Sequence, residues 1–280
     1  MPAHAQRRGK RIWRAALAAS AAFLLLATGT ILWLQLHSAP MYATGVGEQR
    51  SFRLADGSIV DLNSRSRVRI RFSKTARMVE LVEGQALFHV AKNHERPFIV
   101  RTGATRVRAV GTKFDVYKKR DGTVVTVVEG QVAVERETPA RPLHGAAPSD
   151  VHPADAAPDA GGEAGGRHAD AVGPMSVLLS AGEQLIATEE LSEPVRVDAS
   201  AATAWTQRRL VLDSLPLSEV AEEFNRYSRR RLVVEDSGAS ALRLSGVFST
   251  DPDFLIRYLR ERPDITIHET ADEIRIVRHD

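Results

Sequence analysis

The sequence predicts a single transmembrane helix, then an all-β domain built as a twisted sandwich or short solenoid-like stack, and finally a small α+β domain. Three observations predict this fold class. An uncharged apolar segment occupies residues 15–36, alternation with Gly-centred turns dominates up to residue 137, and strand-like and helix-like patterns alternate after residue 205. The 280 residues allow one or two domains, and a hydrophobic fraction of 43% is enough to form their cores.

The first element is the apolar segment AALAASAAFLLLATGTILWLQL, Ala15–Leu36. At about 22 residues it is long enough to cross a ~30 Å hydrocarbon core as a helix. Trp13 and Trp33 lie near its ends, and a basic arm at residues 1–14 precedes it. We therefore expect a single-pass inner-membrane protein with a cytoplasmic N-terminus and a periplasmic bulk. The alternative is a cleaved signal peptide, which has a shorter apolar core and a small-x-small site that LHSAPMYA matches poorly.

Residues 37–137 are expected to form the β domain. ADGSIVDLN and RDGTVVTVVEG both open with Asp-Gly, a strong turn signal before a β-rich run. A repeat of strand, Gly-centred turn and strand occurs as LVEGQALFHV (81–90) and VVEGQVAVE (127–135), with a looser copy, LSAGEQLIA, at 179–187.

One strand of this domain has a cationic face. RSRVRIRF places Arg65, Arg67, Arg69 and Arg71 on one side of a strand and apolar residues on the other. Such a ladder either faces solvent and protects the strand from edge pairing, or it receives an acidic partner.

The composition changes at residues 138–174 to Ala, Gly, Pro, Asp and His, with almost no large apolar residue. Such a segment buries too little apolar surface to order itself, so we expect a disordered linker insertion. Strand character then resumes, and residues 175–204 are expected to supply the final β-strands and a connector.

Residues 205–280 are expected to form the α+β domain from two βαβ-like units. RLVLDS and RLVVED are strand-like and flank PLSEVAEEFNRYS, a helix opened by Pro216. LRLSGVF precedes a second helix, TDPDFLIRYLRE, with Asp251 as its cap and Pro252 in its first turn. ITIHE and EIRIV close the domain as a hairpin, and the apolar faces of both helices are expected to be core.

Several function classes are disfavoured by what the sequence lacks. The chain contains no cysteine, which excludes disulfides, thiolate catalysis and Cys-ligated metals. It has no nucleophile-elbow, Walker or zinc-protease motif, so we expect no enzyme, no cofactor and no metal site. Much of the net charge of +3 lies in the N-terminal arm, which the adjacent apolar segment explains, and we expect no nucleic-acid partner.

A set of ordered motifs covers most of the chain. The first domain carries YATGVGEQRSFRLADGSIVDLNSRSRVRI, RMVELVEGQALFHV, RPFIVRTGATRVRAVGTKFDVY and VTVVEGQVAV. LSAGEQL and WTQRRLVLDSLPLSEVAEEFNRYSRRRLVV follow and include an Asn225-Arg226-Tyr227 signature. Together these motifs resemble the FecR family of transmembrane sigma-factor regulators. The last domain is similar to the secretin/TonB short N-terminal domain of signalling receptors.

The resemblance implies a signal transducer. In the family, a TonB-dependent outer-membrane receptor of the ferric-siderophore type presents its signalling domain to the periplasmic part of the regulator, which relays the event to an extracytoplasmic-function sigma factor. Two small α+β domains can pair by β-augmentation. The strand edges expected to take part contain Leu210, Val211, Leu212, Leu242, Leu244, Val247 and Phe248. The alternative function is a membrane-anchored periplasmic binding or scaffold module without sigma control.

Family members typically carry a helical cytoplasmic sigma-binding domain before the membrane segment. Only Met1–Arg14 precede the apolar segment here, so we expect this chain to lack that domain. Sigma control is therefore implied by the periplasmic part of the resemblance.

The resemblance also draws attention to Gly111 and Thr112. Some family members cleave themselves between Gly and Thr in this region, through attack of the Thr hydroxyl on the preceding carbonyl. Such an N-to-O acyl shift needs a strained peptide and an aligned hydroxyl. The alternative is a β-bulge glycine followed by an ordinary strand threonine.

Overall fold

The described residues of the ranges 41–136 and 176–196 contribute 13 β-strands, which form a single sheet. The computed structural model describes residues 26, 28–30, 39–137, 176–235 and 237–279. The strands are β1 (Met41–Ala43), β2 (Arg50–Arg53), β3 (Ile59–Leu62), β4 (Arg67–Phe72), β5 (Arg77–His89), β6 (Phe98–Thr102), β7 (Thr105–Ala109), β8 (Lys113–Lys118), β9 (Thr123–Glu129), β10 (Gln131–Arg136), β11 (Ser176–Ser180), β12 (Glu183–Ala187) and β13 (Val195–Arg196).

The long strand β5 divides this sheet into two halves. Before Gly84 it pairs with β4 and β6, and from Gly84 onward it pairs with β3 and β8. Gly84 has φ +81°, and a Cβ atom there would lie 2.1 Å from the Ser66 hydroxyl, so only glycine fits. The first half has the order β1-β4-β5-β6-β7-β10-β11, and the second has the order β2-β3-β5-β8-β9-β12-β13. The halves share one core, in which the Phe88 and Phe98 rings lie 5.9 Å apart.

The predicted Gly-centred repeat coincides with the places where the chain passes between the halves. Gly130 connects β9 in the second half to β10 in the first, and Gly182 connects β11 in the first half to β12 in the second. These glycines and Gly84 all have φ between +80° and +82°. The repeat therefore encodes one backbone bend used three times.

The predicted fold class needs a correction at its first element. Within the part of the chain that the structure describes, no helix is long and apolar enough to cross a membrane. Of the predicted segment 15–36, only Leu26 and residues 28–30 are described, as helix, and the remainder lies outside the described residues. The prediction of a single transmembrane helix is therefore not supported by the described residues.

A second correction concerns the form of the β domain. The strands belong to one continuous, bent sheet, not to the two separate sheets of a sandwich, because β5 is shared by both halves. The predicted linker at 138–174 lies outside the described residues. After it, β11 adds to β10 and β12 adds to β9, so the later strands complete both halves of the sheet.

The arginine ladder has acidic partners inside the chain. On β4, Arg67 lies 2.9 Å from Glu83 and Arg69 lies 3.0 Å from Glu80, both on β5. Strand β4 is also covered by β1 on its other side, so it is not an edge. Arg65 precedes the strand and instead donates to the carbonyl of Ser228 in the C-terminal domain.

The C-terminal domain packs its helices against two small sheets. Strands β14 and β16 form an antiparallel pair, while β18 lies between β15, which is parallel to it, and β17, which is antiparallel. A single apolar core holds the domain together. Its elements are α1 (Ala199–Ala202), a 3-10 helix (Ala204–Gln207), β14 (Arg209–Pro216), α2 (Leu217–Phe224), β15 (Arg231–Val234), α3 (Ser237–Ala241), β16 (Arg243–Ser249), α4 (Pro252–Arg260), β17 (Ile265–Glu269) and β18 (Glu273–Arg278).

The ends of the two main helices follow from the sequence. Pro216 stands at the N-cap of α2, whose residues Leu217, Val220 and Phe224 are buried. Asp251 caps α4, because its carboxylate accepts a hydrogen bond from the Asp253 amide at 3.1 Å, and Pro252 opens the helix.

Candidate functional site

A buried polar network joins the β domain to the C-terminal domain. In the β domain its members lie at the end of β3, on β5 and on β8. In the C-terminal domain they lie in the 3-10 helix, at the end of α2 and in the turn after α2. We call it the interdomain network, and it comprises Asn63, Gln85, Asp115, Tyr117, Trp205, Glu223, Arg226 and Tyr227.

Gln85 is the centre of the network. Its Oε1 atom accepts hydrogen bonds from Asn63 Nδ2 at 2.8 Å and from Arg226 Nη1 at 3.0 Å. Its Nε2 atom donates to Asp115 Oδ2 at 2.9 Å. The residue directly follows the Gly84 bend, so the change of halves in β5 points this amide at the second domain. One side chain thus links both domains and all the remaining members.

Arg226 is the cation of the network. Its Nη1 atom donates to Glu223 Oε1 at 2.6 Å, and its guanidinium carbon lies 4.2 Å from the centre of the Tyr117 ring. The Tyr117 hydroxyl in turn donates to Glu223 Oε2 at 2.8 Å. Burial opposes the charge, but Glu223 together with Tyr117 and Tyr227 outweighs it and holds the pKa of Arg226 above its usual value. Burial and the Glu223 charge also raise the pKa of Tyr117, which stays a neutral donor.

Tyr227 and the adjacent backbone fasten the second contact. The Tyr227 hydroxyl lies 2.8 Å from Asn63 Nδ2, and burial raises its pKa to about 12. The Ser64 hydroxyl donates to the carbonyl of Arg226 at 2.5 Å. Because these bonds are buried, the C-terminal domain is held in one orientation on the β domain.

Asp115 is the acid at the other end of the network. Its Oδ1 atom accepts a hydrogen bond from Trp205 Nε1 at 3.1 Å, and its Oδ2 atom accepts the bond from Gln85. Burial raises the pKa of Asp115 to about 7, although the bonds from Gln85 and Trp205 act in the opposite direction.

A cleft of about 1220 Å³ lies beside this network, between the two domains. One wall is formed by β14 and the acidic face of α2, and the other by β9, β12 and the turn after β8. The short helix α1 contacts both β9 and β14, so it covers part of the β14 edge.

The predicted partner-edge residues divide into core and surface. Val211 and Val247 are cross-strand partners on the outer face of the β14–β16 pair, with 39% and 61% of their surface exposed. Leu242 lies just before β16, where its carbonyl accepts a hydrogen bond from the Leu217 amide. The other four are buried in the domain core: Leu210, Leu212, Leu244 and Phe248.

The two strand edges differ in access. Among the described strands, β14 and β16 pair only with each other, so each has a second edge without a strand partner. The β14 edge faces the cleft and is partly covered by α1. A bulge at Ser214, with φ +51°, also interrupts the pairing between Leu212 and Leu215. Residues 245–247 of β16 are exposed, and no described strand pairs with its second edge.

Gly111 and Thr112 lie where β7, in the first half of the sheet, gives way to β8 in the second. Gly111 has φ +68°, and a Cβ atom there would come within 3.0 Å of the Lys92 side chain. The Thr112 hydroxyl is buried and has no hydrogen-bond partner among the described residues. A constrained peptide and an uncommitted hydroxyl meet two requirements of the acyl shift, while the bend alone accounts for the glycine.

Self-cleavage at this bond predicts a fragment that begins at Thr112. We expect Thr112→Ala to abolish the fragment and Thr112→Ser, which keeps a hydroxyl nucleophile, to retain it. The measurement is an immunoblot of the expressed full chain, with N-terminal sequencing of the fragment. A single full-length band in the wild type and in both variants would instead make Gly111 a bend glycine only.

Sequence reasoning named part of this site and missed the rest. It singled out Arg226 and Tyr227 as part of a signature, but it did not predict that they bind the β domain. Gln85 was visible as the residue after a repeat glycine, and Asp115 as a carboxylate on the strand face opposite to the core residues Phe114 and Val116. Within the described residues no group of three or more His, Asp and Glu side chains is placed to hold a metal ion.

Comparison with known proteins agrees with the first domain. The family model described as FecR protein matches residues 41–133. Two crystal structures of a candidate anti-sigma factor from Parabacteroides distasonis, at 1.65 and 2.50 Å resolution, are 22% identical to this chain with a TM-score of 0.65. They cover 86% of this chain, and the chain covers 100% and 99% of theirs, which shows a shared fold. Curated proteins give no match. The resemblance is therefore confirmed for residues 41–133, which form a FecR-family domain.

Proposed function

We propose that this chain is a signal-transducing regulator, not an enzyme, and that it acts in the control of an extracytoplasmic-function sigma factor. In this proposal residues 41–280 lie in the periplasm and receive the state of a TonB-dependent outer-membrane receptor of the ferric-siderophore type. The FecR domain at residues 41–133 supports sigma-factor regulation. The fold shared with a candidate anti-sigma factor supports the same role.

The observation that carries the receptor contact is the open edge of β16. Residues 244–249 of this strand contain neither charge nor proline, the devices that usually protect an edge from pairing. Arg243 precedes them, but its guanidinium donates to the carbonyl of Ser214 on β14. An extended segment of a receptor domain can therefore add to β16 through main-chain hydrogen bonds.

Aromatic side chains extend the surface beside this edge. Phe254 and Tyr258 on α4 pack edge-on against Phe248, with ring centres 6.1 and 5.5 Å from it. They remain 43% and 38% exposed. Because exposed aromatic residues are frequent anchors in protein interfaces, α4 gives the β16 edge a flank that recognises side chains.

Val247→Lys tests this docking site. A lysine at the centre of the edge is expected to weaken binding of a receptor signalling domain by about tenfold or more, because it opposes strand addition. Binding of the full chain would be measured by calorimetry. Leu178→Lys is the matched control, because Leu178 is 59% exposed on the β domain and its replacement should leave binding unchanged. Equal affinities of the wild type and Val247→Lys would exclude the β16 edge.

A further inference from the structure

Asp115 lies where three parts of the molecule meet. It belongs to β8, its side chain bonds to Gln85 on β5, and it bonds to Trp205 in the 3-10 helix that leads into the C-terminal domain. Only 3% of its surface is exposed. Breaking the contact between the domains would return this carboxyl group to water.

The two charged groups near Asp115, Arg226 and Glu223, form an ion pair with each other. Arg226, in the turn after α2, is paired with Glu223 of that helix, and among the described residues no cation forms an ion pair with Asp115. Tyr117 on β8 and Tyr227 are the other titratable neighbours, and both are neutral in the physiological range. From β5, β9 and the 3-10 helix come only the uncharged side chains Gln85, Thr126 and Trp205.

We propose that Asp115 is a proton-sensitive switch in the joint between the β domain and the C-terminal domain. In its neutral form the carboxyl group fits the buried site, and the joint is tight. In its ionised form it is a buried charge without a counter-ion, and separation of the domains relieves the cost of burial by hydrating it.

The direction of the effect follows from proton linkage. The pKa of Asp115 is raised by burial to about 7 when the joint is closed, and it falls toward its ordinary value near 4 when the joint opens. A group with a raised pKa in the closed state stabilises that state at low pH. The stabilisation is lost as the pH rises between the two values, and it is fully lost above about pH 7. Acidification therefore tightens the joint.

This switch would act on the orientation of the β16 edge without needing any particular partner. A closed joint fixes β14 and β16 relative to the FecR domain, and an open joint frees them. The inference thus goes beyond the proposed function and stands or falls separately from it, because its test needs only this chain.

The test uses a single cysteine, since the chain has none of its own. Ser64→Cys places a thiol under the carbonyl of Arg226, where Ser64 is fully buried, and Lys74→Cys places one in an exposed turn. The alkylation rate of the buried thiol is divided by that of the exposed thiol, both measured in the full chain. This ratio reports opening of the joint, because the pH dependence of thiol ionisation affects both rates. We expect this ratio to rise about fiftyfold between pH 5 and pH 7 and to level off above about pH 8.

Two substitutions, each combined with the cysteine variants, test whether the pH dependence of the ratio comes from Asp115. Asp115→Asn removes the ionisable group and keeps an acceptor for one of the two bonds, from Gln85 or from Trp205, so it should make the ratio independent of pH. Asp121→Asn removes an exposed carboxylate beyond the same strand and should leave the pH dependence intact. A constant ratio with Asp115 present, or the same rise in Asp115→Asn, would overturn the switch.

Discussion

Replacing Arg77 by methionine is expected to destabilise the β domain by about 3–5 kcal/mol, because it leaves a buried charge without its partner. Arg77 is 1% exposed, and its Nη1 atom lies 2.7 Å from Asp56 Oδ2. It also donates to the carbonyl groups of Ala91 and Arg96, at 2.8 Å each. The substitution therefore removes the counter-ion of Asp56, in the turn between β2 and β3, and leaves two carbonyl groups of the loop between β5 and β6 without their donor.

Urea unfolding of the full chain measures this loss. The matched control is Arg67→Met, which breaks the ion pair with Glu83, whose side chains are 45% and 53% exposed. The control should cost no more than about 1 kcal/mol, because solvent screens such pairs. If the two variants lose the same free energy of unfolding, Arg77 is not the anchor of this loop.

The same pair makes the domain sensitive to acid. Burial alone would raise the pKa of Asp56, but hydrogen bonds from Ser58 and Arg77 outweigh it and hold the pKa below its usual value. A carboxyl group whose pKa is lowered in the folded state stabilises the fold at pH values above its pKa in the unfolded state. That stabilisation is lost as the pH falls through its pKa in the folded state. Acid therefore has opposite effects at the two carboxyl groups. It removes the stabilisation that Asp56 gives to the β domain, whereas it favours the closed joint at Asp115.

Replacing Arg226 by alanine is expected to uncouple the two domains, at a cost of about 3–5 kcal/mol to the contact between them. The substitution removes the bond to Gln85, the stacking on Tyr117 and the counter-ion of Glu223. In calorimetry the wild type should unfold residues 41–280 in one transition, and the variant in two, because each domain has its own apolar core.

Arg229→Ala is the control for this substitution. Arg229 lies three residues further along and is exposed, so its replacement should preserve the single transition. One transition in Arg226→Ala, at the wild-type temperature, would mean that the interdomain network does not couple the domains.

The strands were predictable because successive side chains of a strand point to opposite faces of the sheet, which gives a sequence pattern of period two. The halves of the sheet were not, because the signal for them is a single residue, Gly84, whose left-handed backbone moves β5 from one set of neighbours to another. The repeat glycines were visible as turns, but only the pairing of β9 with β12 and of β10 with β11 shows that each bend changes halves. Strand partners are long-range contacts, which local periodicity does not contain.

The same limit applies to the candidate site. Val211 and Val247 were predicted as edge residues, and their exposure is consistent with alternation along each strand. Leu210 and Phe248 belong to the same strands but point into the core. Only about half of the side chains of an edge strand are therefore available to a partner. The interdomain network was not predictable, since Gln85 and Arg226 are 141 residues apart and meet only when both domains are folded.

We propose that a receptor signalling domain docks on the C-terminal domain at β16. Hydrogen exchange of the full chain, with and without the signalling domain of a TonB-dependent receptor, tests this docking. We predict slower exchange in residues 243–249 on binding, with unchanged exchange in the β17–β18 hairpin. Binding that leaves residues 243–249 unprotected, or the absence of any binding, would contradict the account.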